Sequence, residues 1–238
     1  MNNIICTHLG SKYGDEYVKI LYNMVERNTK LPFKFYCLSD RESYGTDYKD
    51  KINILRRPTA PKGELALRAW WAKLYYFHPE LGIKGLTLSL DLDILIQKNI
   101  DEIFTYIKPN EFGCVRDFGQ PEILINSSVM LFYPENQTSI WTEYMLNRPT
   151  WIHAHGDQNI ITDLKYNDSK TKFMPDEWTY SFKWPERGKI VKFQKYRPNL
   201  YPRKEGPIFC VFHGFPNPSD AKKLQNQPEF KWIEKVWY

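Results

Sequence analysis

No two cysteines of this chain are placed to pair in sequence. Cys6, Cys37, Cys114 and Cys210 lie far apart along 238 residues, with no C-x-x-C among them. Each sits in a short apolar run ("NIICT", "FKFYCLSD", "FGCVRD", "IFCVFH"), where a free thiol behaves as a small hydrophobe. That argues against a disulfide framework or a zinc knuckle, and for a reducing compartment. No run approaches the ~18 apolar residues of a membrane span. The start, "MNNIICTHLG", has neither a basic n-region nor a long apolar one, so no signal peptide is expected. The expectation is a cytoplasmic protein without a transmembrane segment, and the N-x-S/T matches at Asn126, Asn136 and Asn167 are read as chance. No Lys/Arg block marks a nucleic-acid arm, and the basic residues are scattered rather than striped, which argues against nucleic acid as a partner. The net charge of +5 is mild. It suits an anionic small substrate such as a diphosphate, and it leaves peripheral contact with an anionic membrane surface open.

What is present reads as globular. Hydrophobic content is 42% with mixed charges, and the length allows one large α/β domain. Aromatics reach 16%, enough both to build a core and to line a cleft for flat or ring-shaped ligands. Neither an internal repeat nor a composition break divides the chain, so residues 1–238 are read as a single domain. Strands and helices alternate. "NIICTH" is a strand, and "GDEYVKILYNMVERNT" a helix with Tyr17, Ile20, Leu21, Met24 and Val25 at helical spacing. "FKFYCLS" and "INILR" are strands, and "ELALRAWWAKLYYF" is a helix ending near Pro79. "NIDEIFTYI" is a short helix with Asn99 or Asp101 as its cap. "EFGCV" and "SSVMLFY" are strands, followed by helices near Pro134–Asn147 and Asp157–Leu164. Residues 165–207 read as mostly loop with one or two short strands. "PIFCVFHG" is a last strand, and residues 219–238 form a helical tail.

The stretch "GLTLSLDLDILIQ", Gly85–Gln97, carries the first chemical signal. Period-two alternation puts Leu86, Leu88, Leu90, Leu92, Ile94 and Ile96 on one face of a strand. Thr87, Ser89, Asp91 and Asp93 take the other face, with the two carboxylates roughly 6–7 Å apart at Cα. Like charges that close raise each other's pKa unless a cation or water screens them. The residues alone leave two readings open, a solvated strand end and a metal site. Three other stretches also deliver polar groups at the end of an apolar element. "INSSVMLF" brings Asn126, Ser127 and Ser128, "HGDQNII" brings Asp157 and Gln158, and "IFCVFHGFPNP" brings His213. In open α/β sheets such ends converge on one crevice.

In order, "KYGDEYV", "WWAKL", "DLD", "NSSVM", "HGDQN" and "FHGFPNP" resemble the glycosyltransferases of the A-type fold. The resemblance is to the family-8-like group that includes glycogenin and bacterial galactosyltransferases, and it is closer still to a set of microbial and viral members. It runs from Ile4 to about Pro218. It implies a single Rossmann-like α/β/α sandwich with a mixed central sheet. It also implies transfer of a sugar from a nucleoside diphosphate, UDP by preference, to a glycan, lipid or protein acceptor. Asp91 and Asp93 would hold Mn²⁺ or Mg²⁺, with His213 as the third protein ligand. Thr7 would end the first strand under the base, Tyr17 would stack on a uracil ring, and Lys73 would reach the phosphates or sugar. Asn126, Ser127 and Gly214 join the donor-binding set. Asp157 and Gln158 would lie beside the anomeric carbon as the catalytic pair, with retention implied and inversion through Asp157 as general base the alternative. Residues 165–207 would shape the acceptor side. Tyr17, Lys73 and His213 also have plain readings, as a core position, a surface lysine and a structural histidine. One departure stands out: the better-known members carry a lysine after the His-Gly turn, where this chain has "FPNP" with Asn217. Phosphate neutralisation then falls to the metal and Lys73, with Lys222 or Lys223 as substitutes. A rival reading is a nucleotide-sugar or glycan-binding module with weak turnover.

Overall fold

Short apolar runs become strands here because they can bury both faces. The computed structural model describes residues 1–58, 69–151, 154–184, 187–189, 207–214, 216–223 and 231–238. The strands are β1 (Asn2–His8), β2 (Phe33–Ser39), β3 (Ile52–Leu55), β4 (Thr87–Leu90), β5 (Ile94–Ile96), β6 (Phe112–Arg116), β7 (Ile125–Phe132), β8 (Thr171–Phe173), β9 (Thr179–Ser181) and β10 (Phe209–Val211). The main sheet runs β3-β2-β1-β4-β7-β6-β8. β1 pairs parallel with β2 and β4, and β2 pairs parallel with β3. β7 runs antiparallel to β4 and β6, so the sheet is mixed, as expected. Alternate residues feed two cores. Ile4 and Cys6 of β1 pack with helix α1 (Asp15–Asn28), while Ile5 packs with Tyr75, Tyr76 and Ile160 on the opposite face. This is the expected α/β/α sandwich.

The topology fixes where a ligand can enter. From β1 the chain moves outward through β2 and β3, then returns to place β4 on the other side of β1. Crevices open at such a switch point, outside the carboxyl ends of the strands. Those ends are Thr7–His8 and the Asp91–Asp93 segment.

That segment departs from the sequence reading. Gly85–Gln97 is not one strand. β4 stops at Leu90, Asp91 N–H makes a last bond to Ser128 O at 2.9 Å, and the chain turns through Leu92–Asp93. β5 then joins a second sheet, pairing antiparallel with β10, which pairs parallel with β9. Nor is the polar face solvated, because Thr87 and Ser89 are fully buried. β7 begins two residues before the expected "SSVMLFY" and so takes in Asn126 as well as Ser127. The β6–β7 register slips between Cys114 and Val115, and Asn126 Oδ1 accepts the Ser128 N–H at 3.0 Å across the irregularity. Bulges of this kind re-aim side chains beside sites.

The expected helix "ELALRAWWAKLYYF" is a 3₁₀ segment over Ala69–Phe77, with residues 64–68 outside the described residues. Three residues per turn align positions i and i+3. Lys73 and Tyr76 thereby share an edge, and both reach the carboxyl ends of the central strands. Helices α2 (Thr138–Leu146), α3 (Arg148–Trp151) and α4 (Asp157–Lys165) follow β7. The expected tail holds α5 (Pro218–Lys223) and α6 (Lys231–Glu234). No helix among the described residues is long and apolar enough to cross a membrane.

Candidate active site

One cleft with two lobes opens at the switch point. Thr7, Leu9, Lys12, Tyr13, Lys73, Asp91, Leu92 and Asp93 line the first lobe. Asn126, Ser127, Asp157, Gln158, His213 and Gly214 line the second, which shares Lys12, Lys73, Asp91 and Asp93. Their volumes are about 140 and 400 Å³. Together they fall within the roughly 300–1,000 Å³ of small-molecule sites. All the residues expected to form the site border this cleft except Tyr17.

Lys73 is the node of the cleft floor. Its ammonium lies 3.1 Å from Asp91 Oδ1 and 3.3 Å from Asp157 Oδ2, and donates to Ser127 Oγ at 2.8 Å and Ser127 O at 3.1 Å. The side chain is buried, not the surface lysine of its plain reading. Burial alone would lower the Lys73 pKa, but the charges of Asp157 and Asp91 prevail and hold it above the ordinary lysine range. Asp157 answers differently. Burial raises its pKa, and Lys73 and Ser127 only partly offset that. Its Oδ2 faces Lys73 without hydrogen-bond alignment, so the contact is one of charge. Breaking such a buried pair from one side costs about 3–5 kcal/mol, because the remaining charge is stranded. Asp157 is 2% exposed, which leaves little of it open to a substrate.

Asp93 is also buried. Burial and then the charge of Asp91 raise its pKa, against Lys12 and the Tyr13 hydroxyl. Tyr13 donates to Asp93 Oδ2 at 2.9 Å, and the Gly214 N–H approaches the same oxygen at 3.5 Å. The Asp93 carboxylate, disfavoured by burial and by the charge of Asp91, is an oxygen donor that a hard cation relieves, with Asp91 beside it as a second. The third expected ligand is engaged elsewhere. His213 Nε2 bonds Ser181 Oγ at 2.6 Å, and its ring stacks on Phe118 with centroids 5.5 Å apart. Among the described residues no three His, Cys, Asp or Glu side chains converge to hold a metal. Burial, and secondarily Lys183, lowers the His213 pKa to about 4.

Thr7 Oγ1 meets Tyr76 OH at 2.6 Å beneath the first lobe. Tyr17 corrects an expectation. Its ring packs edge-on against Trp237, its hydroxyl donates to Ser219 Oγ at 2.7 Å, and it is 4% exposed in the core. The aromatic on the cleft wall is Tyr13, four residues earlier in the same "KYGDEYV" motif. Sequence reasoning also missed Lys12, in that motif, and Lys183. The Lys183 ammonium donates to His213 O at 2.7 Å. No periodic signal singles Lys183 out in its Pro-, Lys- and aromatic-rich surroundings. Asp117 was missed as well, although it too follows an apolar strand. Its Oδ2 accepts from Gln158 Nε2 at 3.3 Å. The side chains of Lys222 and Lys223 lie outside the described residues.

No family model and no curated protein matches the sequence. Solved structures do match its fold. The galactosyltransferase LgtC, crystallised with donor and acceptor sugar analogs, aligns over 99% of this chain and 96% of its own, with a TM-score of 0.64 and 12% identity. GlyE, a glycosyltransferase of Streptococcus pneumoniae, aligns over 100% of this chain and 66% of its own, with a TM-score of 0.64 and 12% identity. Mouse xyloside xylosyltransferase 1 aligns over 90% of this chain and 98% of its own, with a TM-score of 0.53 and 13% identity. At this identity the likeness establishes a shared fold, the glycosyltransferase A-type architecture.

Proposed function

We propose that this protein is a glycosyltransferase that moves a sugar from a nucleoside diphosphate, UDP by preference, to a carbohydrate-containing acceptor, with retention at the anomeric carbon. One observation carries the reading. At the switch point of a fold found in sugar transferases, two carboxylates and the lysines Lys12 and Lys73 border one cleft. That charge pattern suits a diphosphate and a hard cation together. Asp91 and Asp93 would hold Mg²⁺ or Mn²⁺, and His213 could join them through Nε2 only once Ser181 releases that nitrogen. A bound cation would neutralise the charge that builds on the diphosphate as the sugar–phosphate bond breaks.

The chain's own residues divide the remaining work. Leu9 and Tyr13 give the first lobe an apolar wall that suits a base, with Thr7 at its floor. Lys12 lines both lobes, and Lys183 sits at the His213–Gly214 turn. They supply positive charge where "FPNP" lacks a lysine. Asn126 and Ser127 present polar groups to the sugar lobe, and Gln158 stands on its wall. Asp157, buried and paired with Lys73, orients that ammonium. Such a group is poorly placed to collect a proton from an acceptor, which favours retention over inversion through Asp157.

Ligand binding raises the melting temperature by mass action. UDP with Mn²⁺ is expected to raise it more than GDP with Mn²⁺ in a thermal-shift titration. Equal shifts for the two nucleotides, or no shift for either, would contradict a uridine site.

A further inference from the structure

Asp117 follows β6 and has both carboxylate oxygens in use. Oδ1 accepts the backbone N–H groups of Gly119 at 2.8 Å and Gln120 at 3.0 Å, and Oδ2 accepts the Gln158 amide nitrogen at 3.3 Å. Arg187 fixes the same segment. Its guanidinium donates to the carbonyls of Arg116 and Asp117 and lies 4.5 Å from the centroid of the Phe118 ring. Its charge is also close enough to interact with that of Asp117. An ionised carboxylate accepts hydrogen bonds and donates none, so it takes the NH₂ end of a neighbouring amide. The two ends of a glutamine amide are nearly equal in size, and only partners of this kind decide which way it points.

We propose that Asp117 is a positioning residue that orients the Gln158 amide so that its carbonyl oxygen faces the sugar lobe. The inference rests on the transferase reading and deepens it. Gln158 lines the second lobe, and Oε1 has no hydrogen-bond partner among the described residues. Positive charge develops on the ring as a glycosidic bond breaks. A carbonyl oxygen beside that ring stabilises the charge, whereas an NH₂ group in the same place opposes it. The role is electrostatic, and no bond to Oε1 is invoked.

Isosteric exchange tests this without removing volume. Asp117→Asn keeps an oxygen for the two backbone N–H groups but turns an NH₂ toward position 158, so the Gln158 amide is expected to flip. Gln158→Glu sets two carboxylates against each other. The double variant restores the match, with the new NH₂ at 117 donating to the new carboxylate at 158 and leaving an oxygen toward the lobe. The assay is Mn²⁺-dependent release of UDP from UDP-glucose and UDP-galactose. Each single variant is expected to lose at least about 10-fold in kcat with donor KM within about twofold, and the double variant to exceed both. Losses that simply add in the double variant, with melting temperatures close to the parent's, would overturn the proposal.

A second readout does not depend on turnover. ¹³C NMR is expected to show a raised pKa for the carboxyl introduced by Gln158→Glu, falling back when Asp117→Asn is added. No fall would overturn the contact itself. A fall in a protein whose parent releases no UDP would instead contradict the transferase reading, and with it the catalytic purpose given to the contact.

Discussion

His213 is the non-glycine residue with positive φ among those described, at 32°, a region that side chains other than glycine rarely adopt. Ser181 holds its ring nitrogen, Phe118 and Trp184 pack its ring, and Lys183 holds its carbonyl. Such strain persists only where the surroundings over-determine it, and it gathers at functional sites. The same enclosure sets a pH response. The folded pKa is about 4, and an unfolded histidine titrates near ~6.5. Between those values the unfolded chain binds more protons, so stability rises with pH, is full above the unfolded value and is lost as pH falls toward the folded one. The loss amounts to about 3 kcal/mol at most. Asp93 and Asp157, whose pKa values are raised, act in the opposite sense, so the share of His213 must be isolated by comparison. Denaturant titrations of the chelated parent and His213→Gln are expected to converge by about that amount between pH 7 and pH 4. Parallel pH profiles would contradict it. At this scale the sequence was informative where a residue stands at the end of an apolar strand, as Asp91 and His213 do. It was silent on Lys183, and it pointed to Tyr17 where the cleft wall has Tyr13, because both tyrosines sit in one motif and only packing against Trp237 separates them.

Strands were the most legible elements, since β1, β2 and β7 are apolar runs bounded by turn residues. The break at Asp91–Asp93 was not legible. Its alternation of leucine and isoleucine continues through the turn unchanged, and what ends β4 is the distant pairing of β5 with β10. The β6–β7 pair shows how tightly the central elements are fitted. A Cβ at Gly113 would lie 3.1 Å from Leu131 Cβ and 3.2 Å from Ile107 Cγ2. Gly113→Ala is therefore expected to cost about 1–3 kcal/mol by overpacking. Urea titration reads this as a lower midpoint, with UDP affinity unchanged, because Gly113 does not border the cleft. An unchanged midpoint would mean that the two strands yield more readily than their spacing indicates.

At the scale of the molecule, sheet order accounts for the site. β1 lies between β2 and β4, so the ends of the first and fourth strands open into one crevice, and residues from six separate stretches of sequence meet there. The mixed α/β fold could be read from alternating strand and helix patterns. That β5, β9 and β10 form a second sheet could not, although strand was expected at β5 and β10, because the pairing of three-residue strands far apart in sequence leaves no local pattern. The proposed function requires this crevice to hold a UDP-sugar with a divalent cation on Asp91 and Asp93 and to break its sugar–phosphate bond. Release of UDP from a panel of UDP-sugars, with Mn²⁺ and with excess chelator, tests it most directly. The expected result is release from at least one UDP-sugar with Mn²⁺, lost in chelator and lost again in Asp93→Asn. Undiminished release in chelator, or no release from any UDP-sugar with Mn²⁺ present, would contradict it.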